Sequence, residues 1–307
     1  MENAISLIIS MAAYWIASMM RKTFTDRFGG TAASRHLYNA VGSLVSAAVL
    51  LIWGGFGQLS IFTLLLGIAF GIITAVQQIT HLKALETGSL AYTTVIISLS
   101  MLIPALSGAL IWGEQIGLVQ VLGIVLMVAC LILSVDTSKD TQKRKATMTW
   151  LFFSIASFLC VGAIGVMQKW HQSTEFKGEL NAFLVVAFVI SFVYSGLMYL
   201  VLRVKCKTSE KADESDQKSK DGTSVRRTVA LAIGMMVLAG ICVAANNKLN
   251  LYLSGVIDSA IFFPLVNGGG LIITTVSAFL LFREKLSRRQ WIGLATGIVA
   301  VLLLCLG

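Results

Sequence analysis

The chain is short of charge. Only 13% of its 307 residues are Asp, Glu, Lys or Arg, whereas 56% are hydrophobic and the mean hydropathy is +0.83. Soluble globular domains carry roughly 25% charged residues, so the composition excludes the pair of ordinary soluble domains that the length alone would allow. The sequence therefore predicts a membrane protein.

Motifs of metal sites, disulfide frameworks and enzymes are also missing. The cysteines have no CxxC spacing and the histidines stand alone near three different helix ends, so neither a disulfide framework nor a zinc site is indicated. The chain has no HExxH, GxSxG or Walker A motif. We therefore expect no catalytic residues, no metal, no cofactor and no enzyme activity. The residues concerned are Cys130, Cys160, Cys206, Cys242, Cys305, His36, His81 and His171.

Long apolar stretches fill almost the whole chain. Each is about 17 to 25 residues long, so a helix rising about 1.5 Å per residue would cross a bilayer core of about 30 Å. The first stretch follows only Glu2 and Asn3, without a basic segment, so we interpret it as a retained helix rather than a signal peptide. Ten stretches are predicted to span the membrane: 4–20, 37–53, 61–80, 90–112, 116–135, 148–167, 180–202, 229–247, 256–282 and 291–306.

Lys and Arg are distributed unequally between alternate connections. Of the 24 in the chain, 21 lie in odd-numbered connections, and only Lys169, Lys177 and Lys248 belong to even-numbered ones. Short loops rich in Lys and Arg stay in the cytoplasm, so both termini are predicted to be extracytoplasmic. The basic residues that give the net charge of +9 are not interleaved with aromatic residues, as they would be on a surface that binds a nucleic-acid strand. The net charge therefore indicates membrane topology and no nucleic-acid partner.

The second half of the chain repeats features of the first at a spacing of 170 residues. Glu114, Gln120 and Gly123 correspond to Glu284, Gln290 and Gly293, yet only the later copy is rich in Lys and Arg. A unit with an odd number of helices inverts when it is duplicated in tandem, so the two copies lie on opposite faces of the membrane. We therefore predict an all-α integral membrane protein with two inverted five-helix repeats, 1–137 and 138–307, and a disordered polar loop near 205–227.

Two segments carry a family resemblance. "ALETGSLAYTTVIISLSMLIPALSGALIWGEQIGLVQVLGIVLMVACLIL" (84–133) and "SGVIDSAIFFPLVNGGGLIITTVSAFLLFREKLSRRQWIGLATGIVAVLLL" (254–304) each hold a small-residue turn, a helix with a proline, a "GE" or "RE" helix end, and a final helix with glycine. In this pattern the chain resembles the EamA-type, ten-helix proteins of the drug/metabolite transporter superfamily. The matching residues are Gly88, Pro104, Gly113 and Glu114 in the first segment and Gly255, Pro264, Arg283 and Glu284 in the second.

The resemblance implies transport of small solutes. Similar family members export amino acids or carry nucleotide sugars, sugar phosphates, choline-like cations or drugs. Small four-helix members carry a glutamate in their first helix for proton exchange, but the first stretch of this chain has no carboxylate. This difference disfavours proton-coupled expulsion of cationic drugs. Ten-helix members are commonly drawn with both termini inside, and the Lys and Arg distribution of this chain departs from that pattern.

Polar residues within apolar stretches are candidates for substrate binding, since such residues are expensive in a membrane, although they also join helices. The ninth stretch is the richest, with Asn267 beside Pro264 and three glycines. We expect the two prolines and these glycines to allow helix bends. Helix packing is the alternative role for all of these residues. The substrate-binding candidates are Tyr14, Trp15, Gln77, Gln78, Tyr92, Ser98, Ser100, Gln168, Asn246, Asn247 and Asn267, and the bend candidates are Pro104, Pro264, Gly268, Gly269 and Gly270.

Charged residues near the even-numbered connections are candidates for coupling or for the rim of the site. Lys248 and Asp258 flank one such connection and are candidates for an ion pair with each other. Lys169 is a candidate anion contact, although an ordinary lysine extending to the interface is the simpler interpretation. We interpret Glu114 and Glu284 as structural, because each begins a short turn into the next helix.

Together these patterns predict a secondary transporter. It would move a small neutral or zwitterionic metabolite, such as an amino acid, across the cell membrane by alternating access. The alternatives are a multidrug or organic-cation efflux permease, and a channel or non-transporting membrane protein. The expected partners are the small-molecule substrate and the lipid bilayer, with the protein a monomer or a homodimer.

Overall fold

The computed structural model of the protein describes residues 2–28, 31–87, 93, 96–134, 147–210, 222–282 and 287–306. Every regular element within these ranges is helical, as the composition predicts. Two 3₁₀ turns, Leu99–Met101 and Glu175–Glu179, stand directly before α4 and α7. The helices, numbered along the chain, are α1 (Glu2–Phe28), α2 (Ala32–Gly54), α3 (Ile61–Thr87), α4 (Leu102–Trp112), α5 (Leu118–Ser134), α6 (Met148–Gln172), α7 (Leu180–Glu210), α8 (Gly222–Val256), α9 (Ser259–Phe282) and α10 (Arg288–Leu306).

Many of these helices are long and apolar enough to cross a membrane. Within the described residues seven segments meet that description, and two shorter apolar helices cover Ile96–Trp112 and Leu118–Leu133. Their outer surfaces expose many large apolar side chains, which lipid can cover. The protein is therefore a multi-pass helical membrane protein. The seven segments are Asn3–Arg21, Ala32–Gly54, Ile61–His81, Met148–Gln172, Glu175–Val204, Val229–Val256 and Arg288–Leu306.

Two glutamines that correspond in the sequence repeat make the same hydrogen bond. The Gly117 backbone N–H donates to Gln120 Oε1 at 2.8 Å, where α5 begins. The Ser287 backbone N–H donates to Gln290 Oε1 at 2.9 Å, where α10 begins. A glutamine at the third helical position that accepts from the capping residue satisfies a donor with no partner inside the helix. The shared spacing therefore reflects a shared way of starting a helix.

The two prolines begin or interrupt their helices differently. Pro264 lies inside α9, which continues on both sides of it. Pro104 is the third residue of α4 and follows the 3₁₀ turn Leu99–Met101. A proline has no N–H to donate to the carbonyl four residues earlier, which here belongs to Ser100. Ser100 lies in the 3₁₀ turn, so its carbonyl is outside the regular α-helical hydrogen-bond pattern. Pro104 therefore coincides with a change of helix geometry.

The chain forms two compact units, each built from segments of both sequence halves. Unit 1 comprises Met1–Met11, Ile73–Lys177 and Leu249–Gly307, and unit 2 comprises Ala12–Ile72 and Gly178–Lys248. In unit 1, α5 packs along α10 and α4 packs against α9. In unit 2, α2 packs along α7. Each unit thus joins helices that are far apart in the sequence.

The core of unit 1 is a cluster of fully buried side chains from α5, α9 and α10, among them Met127, Phe262 and Leu304. Glycines bring these helices close together. A Cβ on Gly123 would lie 2.8 Å from Leu304, which is too short for a carbon–carbon contact. The α5–α10 contact therefore depends on a position where only hydrogen fits.

The core of unit 2 combines aromatic contacts with another close helix approach. The ring centroids of Phe70 and Phe183 lie 5.2 Å apart, at a tilt typical of paired aromatic rings. On α3, Gly67 and Gly71 lie against Val186 and Ile190 of α7. These two glycines, four residues apart, thus allow close packing of α3 against α7 within the chain.

Candidate functional site

A buried ion pair lies in unit 1, where α4 and α6 end. Lys169 Nζ is 2.5 Å from Glu114 Oε1, and the two side chains are 10% and 9% exposed. Lys169 also points towards the Ile257 carbonyl, at 3.5 Å. The interpretation of Lys169 as a lysine extending to the interface is wrong, because its ammonium is buried against a carboxylate from another helix.

Two glycines of α4 position the Glu114 carboxylate. Gly113 ends α4 with φ of 67°, and the Glu114 N–H then bonds back to the Gly108 carbonyl at 3.1 Å, a common helix ending that favours glycine. A Cβ on Gly108 would overlap the Glu114 carboxylate and would lie 2.6 Å from Ser259 Cβ. The residues 170 positions later are Ala278 and Arg283, so the later segment lacks both glycines.

The same carboxylate caps α9. Glu114 Oε2 accepts the Ser259 backbone N–H at 2.6 Å, and Oε1 accepts the Ser259 hydroxyl at 3.3 Å. A negative charge beside exposed N–H groups at a helix start is favourable. Glu114 therefore ties the ends of α4 and α6 to the start of α9, as a structural glutamate would. Because Glu114 neutralises Lys169, the lysine has no spare charge to offer a solute in this structure.

The middle of α9 carries an exposed polar side chain. Asn267 Nδ2 donates to the Phe263 carbonyl of its own helix at 2.9 Å, and the residue is exposed. A polar amide inside a membrane helix is costly against lipid, so Asn267 stays a candidate for contact with water or a polar solute. Gly268 and Gly269 instead serve close packing, because a Cβ on either would run into Met127 or Met11.

The proline region of α4 meets α9 through α6. A Cβ on Gly165 of α6 would lie 2.8 Å from Pro104 and 3.0 Å from Phe263. Gly165 thus lies between Pro104 of α4 and Phe263 of α9, which directly precedes Pro264. The two regions where we expect helix bends are therefore close together. Among the predicted residues on these helices, Ser100 and Gln168 are buried and Ser98 is half-buried.

The remaining predicted residues lie in several places. Gln77 and Gln78 are half-buried on α3. Asn246 is buried on α8, whereas the Asn247 amide donates to the Val243 carbonyl at 2.9 Å and is thereby satisfied within its own helix. Tyr14 is half-exposed, Gly270 is buried and Asp258 is exposed. Two further predicted residues, Tyr92 and Glu284, lie outside the described residues.

Unit 2 contains several buried polar atoms without partners among the described residues. The imidazole of His36 and the phenol of Tyr194 meet edge-to-face, with centroids 6.1 Å apart. Each buried polar group that lacks a partner costs about 1–3 kcal/mol, so such groups normally bind water or a ligand. We name this set the polar layer, and it consists of Trp15 Nε1, His36 Nδ1, Tyr38 OH, Tyr194 OH and Ser195 Oγ.

Of this set, the sequence patterns identified only Trp15 as a candidate for substrate binding, and they singled out His36 only as an isolated histidine. A helical polar pattern was nevertheless present: His36, Ser43 and Ser46 recur along one face of α2, because residues three, four or seven apart share a face. In the structure, the Ser43 and Ser191 hydroxyls are 3.0 Å apart, and Ser46 donates to the Gly240 carbonyl at 2.7 Å. A polar stripe on a membrane helix is thus the signal that could have identified the layer.

Lys248 lies where α2 ends and α7 begins, also in unit 2. Its ammonium is 4.4 Å from the centroid of the Trp53 ring, within cation–π range. Within the described part of the chain Lys248 has no carboxylate partner. The ion pair with Asp258 stays a prediction, and the contact that the structure gives Lys248 within unit 2 is aromatic.

Comparisons with known proteins support a fold but no activity. No family profile and no curated protein matches the chain. A solved structure titled "Crystal structure of protein" matches over 98% of both chains, with a TM-score of 0.69 and 16% sequence identity. At that identity the likeness concerns the fold alone. The chain therefore shares its overall helical fold, across nearly its full length, with a protein solved by crystallography.

Proposed function

We propose that the protein is a secondary transporter that moves a small neutral or zwitterionic metabolite by alternating access. The observation that carries this proposal is the pairing of helices five positions apart: α2 with α7, α4 with α9, and α5 with α10. Pairing of each helix with its counterpart is the arrangement expected of two repeats related by a two-fold axis. Inverted repeats of this kind are an architecture shared by many secondary transporters.

Inversion follows from the number of helices in each proposed repeat. Five spans per repeat would place Gln120 and Gln290 on opposite faces, although both start a helix with the same hydrogen bond. The two copies of this sequence also differ in charge, and inversion would explain the difference. Only the copy whose connection lies in the cytoplasm tolerates several Lys and Arg residues. These features support membership of the drug/metabolite transporter superfamily, with ten spanning helices, as the proposal for this chain.

The chemistry of the interior favours an uncharged or internally balanced solute. No Asp or Glu lies near the middle of a predicted apolar stretch, so a central carboxylate for an organic cation is missing. The polar layer and Asn267 instead offer hydroxyl, imidazole, indole and amide groups. Such groups bind polar solutes through neutral hydrogen bonds, and they support the metabolite interpretation over a cation-efflux permease.

Transport is tested in liposomes. The purified protein would be reconstituted, incubated with a mixture of amino acids, amines, nucleosides and sugar phosphates, and the trapped solutes identified by mass spectrometry against protein-free liposomes. We expect enrichment of one small class, with uptake that saturates and that accelerates when the same solute is present inside. Uptake that neither saturates nor responds to internal solute would indicate a channel, and an absence of enrichment for every class would contradict transport.

The proposed orientation has its own test. With both termini outside the cytoplasm, a reporter that is active only in the cytoplasm should be silent when it is fused after Gly307. The same reporter inserted near 205–227, in an odd-numbered connection, should be active. Activity at Gly307 would overturn the orientation and would leave the transport proposal standing.

A further inference from the structure

One cation in unit 2 has unused hydrogen-bonding capacity. A lysine ammonium has three donors and carries a full charge, and Lys248 is half-buried on α8. Its described contact is the face of Trp53 at 4.4 Å, which attracts the charge but accepts no conventional hydrogen bond. Withdrawing an ammonium from water without an anion is unfavourable. Lys248 is therefore a cation for which the described chain supplies no counter-charge.

The Asn181 side chain, whose amide nitrogen and oxygen differ in their partners, lies near this cation. The Asn181 amide nitrogen points to the Leu50 and Gly55 carbonyls, at 3.5 and 3.4 Å, and Asn181 Oδ1 is buried without a partner among the described residues. A Cβ on Gly54 would overlap the Asn181 amide and would lie 3.3 Å from Lys248 Nζ. The absence of a side chain at Gly54 thus makes room for the Asn181 amide beside the Lys248 ammonium.

We propose that Lys248 and Asn181, beside Trp53, form a subsite that binds the carboxylate and amino groups of a zwitterionic amino acid. The ammonium of Lys248 neutralises the carboxylate, and Asn181 Oδ1 accepts from the amino group. Trp53 is 52% exposed, so its ring is open to a passing solute as well as to Lys248. This inference rests on the proposed transport function and narrows its substrate class.

The chain contains a matching case in which the counter-charge is internal. Lys169 has Glu114 at 2.5 Å, whereas Lys248 has an aromatic face and a neighbouring amide. Lys169 is buried in the last turn of α6, whereas Lys248 is half-buried about two turns before the end of α8. The difference identifies Lys248 as the lysine to which an external carboxylate can add.

The test measures binding of matched ligand pairs to purified protein by isothermal titration calorimetry. The probes are L-alanine, L-leucine, L-phenylalanine, L-glutamine and L-threonine, each compared with its carboxamide, which lacks the carboxylate charge. We expect at least one amino acid to bind the wild type roughly 10-fold to 100-fold more tightly than its carboxamide, as loss of a charged hydrogen bond predicts. Lys248→Met should abolish that preference, and Lys248→Arg should retain part of it.

The control and the contradicting results separate this inference from the proposed function. Lys177→Met removes an exposed lysine from the turn Glu175–Glu179 and should bind as the wild type does. An unchanged carboxylate preference in Lys248→Met, or no binding of any of the five amino acids, would overturn the subsite. Transport of another solute class by the same preparation would then leave the proposed function intact.

A lipid phosphate is the other source of an oxyanion for Lys248. The same variants would be compared in nanodiscs of phosphatidylglycerol and of phosphatidylcholine, with the melting temperature as the readout. The subsite predicts that Lys248→Met responds to the change of lipid as the wild type does. A stabilisation by phosphatidylglycerol that disappears in Lys248→Met, without any change in amino-acid binding, would assign Lys248 to a lipid headgroup and would overturn the proposal.

Discussion

The regions around Lys169 in unit 1 and Lys248 in unit 2 each withdraw a lysine from solvent, but only the first provides a carboxylate. Glu114 neutralises Lys169 and at the same time caps α9. Lys248 meets an indole ring. The same residue type therefore serves structure in unit 1, where a carboxylate balances its charge, and we expect it to be available to a ligand in unit 2, where no described carboxylate does so.

The polar layer extends this comparison to neutral groups. In unit 1 the buried charges are satisfied by one another and by backbone groups, and the unpartnered buried atoms among the described residues are the hydroxyls of Ser154 and Ser157. In unit 2 the polar layer leaves five buried atoms without partners among the described residues. Satisfied groups stabilise a fold, whereas unsatisfied ones reduce its stability and are retained where water or a ligand completes them. The predictions below separate these two roles, beginning with the largest expected effect.

Breaking the ion pair should have the largest effect on stability. Lys169→Met should lower the free energy of unfolding by about 3–5 kcal/mol, because Glu114 would remain as a buried charge without its cation. Chemical unfolding in detergent micelles measures the loss. The double variant Lys169→Met with Glu114→Gln should recover most of the stability, because both charges are then absent. Equal stability of Lys169→Met and the wild type would contradict a structural role for the pair.

Crowding the carboxylate should have the next largest effect. Gly108→Ala would place a methyl group against Glu114 and Ser259, which we expect to cost about 1–3 kcal/mol through overpacking. The matched variant is Gly196→Ala on α7, where an added Cβ meets nothing within 4 Å, so stability should be unchanged or slightly higher. Melting temperatures of the two variants decide the matter, and a similar fall in both would show that the carboxylate contact is unimportant.

Serines with and without a partner should respond differently to removal of their hydroxyls. Ser46→Ala removes a hydrogen bond to the Gly240 carbonyl and should cost about 1 kcal/mol. Ser195→Ala removes a buried hydroxyl with no partner in the described chain, so stability should be unchanged or higher, because the cost of burying an unpaired hydroxyl disappears. Thermal unfolding of both variants provides the measurement. A larger loss for Ser195→Ala than for Ser46→Ala would mean that the polar layer is already satisfied in the resting protein.

Removing the unpaired cation should have the smallest effect on stability. Lys248→Met loses a cation–π contact, worth about 0.5–1 kcal/mol at a partly exposed site, and also loses an unbalanced charge. The free energy of unfolding should therefore change much less than in Lys169→Met. A loss as large as that of Lys169→Met would show that Lys248 has an internal counter-charge and would remove the contrast between the two regions.

Local sequence patterns were sufficient for the helices and for one helix start. Apolar length identifies α2 and α3, since a helix is the structure that satisfies its own backbone in lipid. Gln120 and Gln290 could be matched because a cap involves neighbours three residues apart. Charge counting also identified Lys169 and Lys248 as exceptions among the basic residues.

Contacts between distant segments could not be predicted in the same way. Glu114 and Lys169 are 55 positions apart, and their pairing depends on how α4, α6 and α9 pack together. The polar layer was missed because serine and tyrosine within apolar stretches were treated one at a time. Asn181 was missed because a single amide near a helix start has no distinguishing pattern; its vacant acceptor depends on the backbone at Leu50 and Gly55.

The most direct test of the account is amino-acid counterflow in proteoliposomes, measured side by side for the wild type and Lys248→Met at equal amounts of folded protein. Liposomes filled with unlabelled amino acid would be placed in a trace of the labelled compound. The account predicts a transient accumulation of label with the wild type, and a loss of that accumulation in Lys248→Met although the variant unfolds at nearly the same temperature. Equal counterflow in the two proteins, or none with the wild type, would contradict it.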